Sequence, residues 1–353
     1  MGKRKMLLIR ADASVSIGTG HIMRMIALAQ AWQDGGGEAV FLCAEITPSL
    51  EARLKEEGFL LEKIQASPGS REDLEATSAA IARYGLDSIP VALDGYQFDA
   101  DFQLGLKKAG CRLLVMDDYG HAAFYHADWV LNQNISAREE LYANRSPHTQ
   151  LLLGTKFALL RREFLKYREW QRQIPQIARK VLVTFGGADP DNVTGKVIEA
   201  LASLDIEVKV VGGGSNPHLP DLREAVQSLK SQPAKIELVQ NPTDMPGLMA
   251  WADLAIAAGG STAWELAFMG LPSLFVILAE NQVGIATELE SAGFGVCLGK
   301  GIDLGKDNLA ETVSFHTSNP NFLHAVSDLG RKLVDGPGAQ RIVSQIQILR
   351  MAA

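Results

Sequence analysis

Cysteine is scarce in this chain. Cys43, Cys111 and Cys297 are the only three in 353 residues; they are far apart, odd in number, and show no C-x-x-C spacing. This argues against a disulfide framework and against a structural zinc site, and it fits a reducing cytoplasm. Positive charge is also in short supply. Lys and Arg number 34 against 41 Asp and Glu, a formal net charge of −7. Nucleic-acid binding needs clustered Lys and Arg, so no nucleic-acid partner is expected. Long hydrophobic runs are missing as well. The first apolar run, residues 6–9, follows the basic Lys3, Arg4 and Lys5 and stops at Arg10. It is too short for a signal-peptide core or a membrane span, and reads as a first buried strand. No tandem repeat or low-complexity tract interrupts the chain.

What is present is an ordinary α/β composition, 47% hydrophobic and 21% charged. The length is too great for one comfortable core, so two domains are expected. Short apolar runs alternate with amphipathic stretches. In the first half the expected strands are 6–9, 39–43, 59–64, 90–93 and 113–116. Helix starts lie between them: Thr47-Pro48 offers an N-cap and an N1 proline, and Ser70-x-x-Asp73 resembles a capping box with Asp replacing Glu. The pattern breaks over 157–176 and restarts with strands at 180–185, 208–211, 236–239, 254–257 and 273–277. Such alternation implies parallel sheets covered by helices. The expected division is a first Rossmann-like domain at 1–165, a second at 176–335, and a tail at 336–353. A helical stretch at 340–351 in that tail has the option of packing back on the first domain.

Ligands of open parallel sheets bind beyond the carboxyl ends of the strands, so the residues after each strand matter most. After the first strand come Arg10, Asp12, Ser14, Gly18, Gly20, His21 and Arg24. The two glycines let backbone approach a ligand at a helix start, where free N–H groups favour anions. The dinucleotide fingerprint needs a third glycine where Met23 stands, which argues against a nicotinamide cofactor. His21 opens the helix, and a neutral imidazole there can take a proton from water near physiological pH. Asp94-Gly95-Tyr96 and Asp117-Asp118-Tyr119 follow later strands and suit sugar hydroxyls or orientation of the histidine. Asp118 reads equally well as a turn residue. Asp99-Ala-Asp101 has the form of a metal-binding D-x-D, but it opens a helix, so capping explains it better. No metal site and no cofactor are expected.

In the second half Gly186-Gly187-Ala188-Asp189 follows a strand, as does Gly259-Gly260-Ser261-Thr262-Ala263-Trp264-Glu265. Gly260 with the Ser261 and Thr262 hydroxyls suggests a phosphate cradle, and Glu265 one turn on can accept from a ribose diol. Asn281 and Gln282 offer further amide donors at another helix start. The run Gly212 to Gly214 reads as a plain loop.

These motifs together resemble a known family. Arg10-x-Asp12-x-Ser14-x-x-Ile17-Gly18-x-Gly20-His21-x-x-Arg24, Gly186-Gly187-x-Asp189, Ser261-x-x-x-Glu265 and Glu280-Asn281-Gln282 are similar to the PseG-type UDP-sugar hydrolases. Phe157-Ala-Leu-Leu-Arg161-Arg162-Glu163-Phe164 extends the resemblance across the junction. That family is related to MurG-like glycosyltransferases of the GT-B type and to the spore-coat proteins called SpsG. The resemblance implies a GT-B fold, two Rossmann-like parallel-sheet domains facing a central cleft. It also implies hydrolysis of UDP-2,4-diacetamido-2,4,6-trideoxy-β-L-altropyranose to UDP and free sugar for pseudaminic acid synthesis, with inversion and without metal. His21 would be the base. Arg10, Asp12, Gly20, Arg24, Asp94 and Tyr96 would meet substrate from the first domain. Gly187, Gly260, Ser261, Thr262, Glu265, Asn281 and Gln282 would meet it from the second, the UDP side. One departure touches the sugar: the family's Asp-His-Tyr is here Asp94-Gly95-Tyr96. Sugar transfer to an acceptor is the competing reading, and a silent sugar-nucleotide-binding protein a third. Oligomeric state leaves no mark in the sequence.

Overall fold

The computed structural model describes residues 5–84 and 89–351; Lys3 and Arg4 lie outside the described residues. The chain divides into two compact units, Met1–Arg162 together with Pro337–Ala353, and Glu163–Gly336.

The first unit is built on seven strands: β1 (Met6–Ala11), β2 (Glu38–Cys43), β3 (Leu60–Lys63), β4 (Pro90–Asp94), β5 (Arg112–Met116), β6 (Trp129–Asn132) and β7 (Gln150–Leu153). Helices α1 (Gly20–Asp34), α2 (Pro48–Glu56), α3 (Arg71–Tyr84) and α4 (Ala100–Lys108) connect the earlier ones. All strands pair in parallel in the order β3-β2-β1-β4-β5-β6-β7. Alternation along the strands divides the core into two faces. Leu7 and Ile9 join α1 on one side, while Leu8, Val91 and Leu93 join the helices α3 and α4 on the other. Cys43 and Cys111 are buried one on each face, and burial pushes both thiols up to about 12. Thr47 and Pro48 do start α2, and Ser70 Oγ accepts from Asp73 N at 3.2 Å at the start of α3. The returning half of the capping box does not form: the Asp73 carboxylate takes Gly69 N at 2.8 Å and turns to Arg10. Asp99 caps α4, accepting from Phe102 N at 2.9 Å.

The second unit carries six parallel strands, β8 (Lys180–Thr184), β9 (Glu207–Gly212), β10 (Lys235–Gln240), β11 (Leu254–Ala258), β12 (Ser273–Ile277) and β13 (Val296–Lys300). Their order is β10-β9-β8-β11-β12-β13. Its helices are α6 (Val193–Leu201), α7 (Leu219–Ser228), α8 (Met245–Trp251), α9 (Thr262–Phe268), α10 (Val283–Ser291), α11 (Lys306–Thr317) and α12 (Pro320–Leu333), preceded by the short α5 (Arg162–Leu165) at the boundary between the units. One face of this sheet buries Val181, Val183, Val210, Ile256 and Val276 under α6 and α11. Arg172 donates to the carbonyls of Met249 and Met269, and Arg331 to that of Phe268, closing the carboxyl ends of α8 and α9.

The last helix, α13 (Gly338–Met351), belongs to the first unit. It buries Ala339, Ile342, Val343 and Ile346 in the same cluster as α1. A Cβ at Gly338 would lie 2.7 Å from the Phe157 carbonyl carbon, so glycine is what allows the helix to start there. Packing on both sides explains why α1 buries nearly its whole circumference, Met25, Ile26, Leu28, Ala29 and Trp32 included.

Candidate active site

In each sheet the chain order reverses at one place, and loops leaving the two strands there diverge and open a crevice. In the first unit that place lies between β1 and β4, where Ala11 pairs with Asp94. The β1–α1 loop is wound tightly: Gly18 N donates to Ser14 O at 2.8 Å, and Gly18 takes a φ of +81° that favours glycine. Gly20 then begins α1 at an exposed position, with His21 next.

His21 Nδ1 lies 2.7 Å from Asp94 Oδ1. Arg24 Nη2 also lies 3.2 Å from Nδ1 but donates to Asp94 Oδ1 at 2.6 Å; the carboxylate, which can only accept, is the shorter contact of Nδ1, so in the neutral ring Nδ1 carries the proton and Nε2 keeps its lone pair. Nε2 has no partner among the described residues, and the His21 side chain keeps 10% of its surface open where that of Asp94 keeps 0%. Arg24, one turn along α1, fastens this pair. Its Nε donates to Asp94 Oδ2 at 2.7 Å and its Nη2 to Asp94 Oδ1 at 2.6 Å, while Nη1 reaches both oxygens of Asp118 at 2.9 Å. Burial alone would raise the Asp94 pKa, but Arg24 and His21 together hold it down at about 2. Arg24 is held well above its ordinary value because Asp118 and Asp94 outweigh its own burial. Tyr96 donates its hydroxyl to Asp118 Oδ2 at 2.6 Å and meets the His21 ring edge-on at 5.1 Å.

A second buried network stands behind the first. Arg10 is the fifth residue of β1, not a loop residue, and is completely buried. It bonds Asp73 at 2.8 and 2.6 Å, Asp12 at 2.8 Å and Leu42 O at 3.3 Å. Asp12 Oδ1 in turn accepts from Ala44 N and Glu45 N, which ties the β1 loop to the β2 loop. Arg10, Asp12, Arg24 and Asp94 were expected to meet substrate. All four are buried, their charged groups occupied by one another and by Asp73, Asp118 and His21.

Gly95 stands where the related pattern has histidine. A Cβ there would lie 2.6 Å from Gln97 Oε1, and Gln97 Nε2 donates to Asp12 Oδ2 at 3.1 Å. The Gln97 side chain therefore fills the space that a side chain at 95 would need. Asp118 and Asp73 are the members that sequence reasoning undervalued. Asp118 looked as much like a turn residue as a site residue, and Asp73 like a helix cap; only their buried arginine partners distinguish them.

The second unit reverses between β8 and β11, and the loops 186–189 and 259–262 leave those two strands. Asp189 is committed to capping α6, accepting from Val193 N and Thr194 N at 2.9 Å each. Gly187 O accepts from Ser215 N at 3.1 Å, and a Cβ at Gly213 would lie 2.6 Å from Gly187 Cα. The glycine run after β9, read as a plain loop, is thus what permits the β8 and β9 loops to pack together. Gly259 is packed similarly: a Cβ there would lie 2.9 Å from that of Ala286. Gly260 faces the Gln282 amide, and Gln282 Oε1 accepts from Leu278 N at 3.0 Å. Ser261, Thr262 and Glu265 are half-buried along the start of α9, and Asn281 is exposed. Sequence-expected residues of this unit therefore gather at the same ends of β8, β11 and β12.

Among the described residues no group of three or more His, Cys, Asp or Glu side chains is arranged to hold a metal, and no helix is long and apolar enough to cross a membrane.

Comparison with known proteins agrees with this architecture. Residues 181–331 match the glycosyltransferase family 28 C-terminal domain. The spore coat polysaccharide biosynthesis protein SpsG of Bacillus subtilis is 25% identical over 97% of this chain and 97% of its own. The UDP-2,4-diacetamido-2,4,6-trideoxy-beta-L-altropyranose hydrolase of Campylobacter jejuni is 24% identical over 82% of this chain and 98% of its own. An uncharacterized protein of Methanocaldococcus jannaschii is 25% identical over 78% of this chain, which spans only 56% of that protein's length. Acinetobacter baumannii MurG superposes with a TM-score of 0.65 at 17% identity over 98% of this chain and 99% of that one. An Anabaena protein, HepE, crystallised with UDP and glucose, gives 0.62 at 14% identity over 98% and 100%. The chain is a two-domain protein of the GT-B fold whose homologues include SpsG and enzymes that hydrolyse a UDP-linked sugar.

Proposed function

We propose that this protein hydrolyses a UDP-linked diacetamido-trideoxy sugar to UDP and free sugar, in the biosynthesis of pseudaminic acid or a similar nonulosonate. The observation that carries the reading is the His21–Asp94 pair at the sheet's switch point, with Nδ1 bound and Nε2 open. Nε2 takes a proton from water as the water oxygen attacks the anomeric carbon. The bond from that carbon to the phosphate oxygen breaks, its electron pair leaves with UDP, and the configuration inverts. Asp94 holds the ring in the productive tautomer and stabilises the imidazolium that forms, the role a buried aspartate plays in a Ser-His-Asp triad. Arg24 keeps Asp94 ionised, so the new proton stays on the histidine.

The second unit binds UDP: backbone N–H groups at 260–262 suit the diphosphate, while that of Gly259 is held by Val276 O at 3.1 Å, and Glu265 suits the ribose diol. Charge on the departing UDP is met by these donors, and the strand-end carboxylates of the first unit are already occupied by Arg24, His121 and backbone N–H groups. Activity is therefore expected to survive excess chelator; complete loss restored by magnesium or manganese would refute that part. Transfer to an acceptor hydroxyl would use the same base, and the family 28 match favours keeping it as the second reading. Incubation with candidate UDP-sugars, with and without acceptor alcohols, followed by NMR, separates the two. UDP and inverted free sugar in the absence of acceptor are expected. Turnover that requires an acceptor would make the protein a transferase.

A further inference from the structure

The loop after β5 is held in an unusual way. The Asp117 carboxylate accepts from Tyr119 N at 2.7 Å and Gly120 N at 2.6 Å, and pairs with His121 Nδ1 at 2.6 Å. The hydroxyl of Tyr125 donates to the same carboxylate, and His121 Nε2 reaches Phe98 O at 3.4 Å. Both ring nitrogens of His121 thus face acceptors, which leaves it no free edge for proton transfer; it is a clamp. Asp117, Tyr125 and Phe98 are buried, and Gly120 and His121 are partly so. Tyr119 is 47% exposed, and its hydroxyl has no partner among the described residues.

Single exposed apolar side chains are ordinary on proteins, and Ile302, Phe315 and Ile348 are further examples here. Tyr119 differs in where it stands. Its ring lies 5.1 Å from that of Tyr96, which lies 5.1 Å from that of His21. A loop tied down by Asp117 therefore presents a half-exposed aromatic ring that packs on Tyr96 and His121, one ring removed from the side chain bearing the open Nε2.

We propose that Tyr119 is the platform on which the C–H face of the substrate's pyranose ring rests, and that it determines sugar specificity. The inference rests on the reading of His21 as the base. Aromatic rings offer large, rigid contact area with little entropy to lose, and binding sites for small polar molecules combine such surfaces with few polar groups. Contact on the ring face also predicts that the hydroxyl is dispensable.

The test uses the whole chain as wild type, Tyr119→Ala and Tyr119→Phe, with thermal midpoints measured first to show that the exposed position tolerates change. With a UDP-sugar that is turned over, Tyr119→Ala should raise KM by about tenfold, equivalent to about 1.4 kcal/mol. The UDP dissociation constant and the pH profile of kcat should not move, and Tyr119→Phe should stay close to wild type. An unchanged KM in Tyr119→Ala overturns the proposal, and so does an equal loss in Tyr119→Phe. Saturation-transfer NMR with free N-acetylglucosamine separates this failure from that of the hydrolase reading. If wild type turns over no UDP-sugar, the role of His21 falls. Tyr119 is then judged alone by transfer to the sugar ring protons, present in wild type and lost in Tyr119→Ala. No transfer in wild type overturns the platform too.

Discussion

The two units solve the burial of charge in opposite ways. In the first, buried arginines meet carboxylates: Arg10 with Asp73 and Asp12, and Arg24 with Asp94 and Asp118. Both guanidinium groups are held above their ordinary value despite desolvation. In the second, the half-buried Arg172 donates to main-chain carbonyls and stacks on the Trp170 ring, and burial pushes it down to about 10. Correspondingly the first unit presents a side chain, His21, aimed by an ionic lattice, whereas the second presents glycine-rich backbone. A lattice of charges fixes one proton and one lone pair in place; backbone N–H groups suit an anion without any titrating group. Chemistry and nucleotide binding make different demands on a site, and the proposed division of labour between the units rests on this difference.

The comparison can be broken most severely at its centre. His21→Ala is expected to lower turnover by about 10²- to 10⁴-fold, the usual range for a general base, while the protein stays folded and binds UDP. Asp94→Asn should fall in the same range, because an amide no longer selects the Nδ1–H tautomer. Wild-type-like single-turnover rates in folded His21→Ala protein would remove the base from the mechanism.

Next in size is the supporting lattice. Asp73→Ala leaves Arg10 buried without its main partner, and urea unfolding should show a loss of about 3–5 kcal/mol. The exposed i,i+4 pair Arg71–Glu75 on the same helix, 86% and 63% exposed, is the control: Glu75→Ala should change little. Equal effects of the two would mean that the buried network has no special weight.

The division of labour is sharpened by Glu265→Ala, expected to weaken UDP binding by about 1–3 kcal/mol in calorimetric titration. His21→Ala should hardly alter that binding. The reverse pattern would move the nucleotide to the first unit.

The mildest probe is acid. Asp94 and Asp117 are held at about 2, below the ordinary 3.8, so they bind protons less readily folded than unfolded. Their stabilisation is complete above about pH 4 and disappears as pH falls toward 2. Hydrogen exchange should therefore show strands β1, β4 and β5 losing protection over that window before β8 and β11. Simultaneous loss in both sheets would contradict the contrast.

Much of this architecture was legible in the chain. Buried parallel strands are continuous apolar runs, so ten of them could be located from composition alone, and the alternation with helices implied two parallel sheets. Of the three strands that went unread, β6 and β7 follow β5 with no α-helix between them, so the strand–helix alternation does not mark them, and β13 is only partly buried along its length. Glycines beside strand ends, with His21 between them and a helix, were also readable, because a backbone approaching a ligand must lack Cβ.

What residue order could not supply is which charge meets which. Arg10 and Asp73 are 63 positions apart, and Arg24 and Asp118 are 94 apart. From the sequence alone each is a polar residue after a strand or at a helix start, equally suited to substrate, solvent or turn. Packing of α3 on β1 brings the first pair within bonding distance, and adjacency of β1 to β4 and of β4 to β5 the second; burial then makes an unpaired partner too costly. The sequence by itself therefore determined the sheets, the loops and the identity of the imidazole. Only the tertiary structure decided that Asp94 bonds to that imidazole and Arg24 to Asp94, since strand order and desolvation are properties of the folded sheet and not of any local segment.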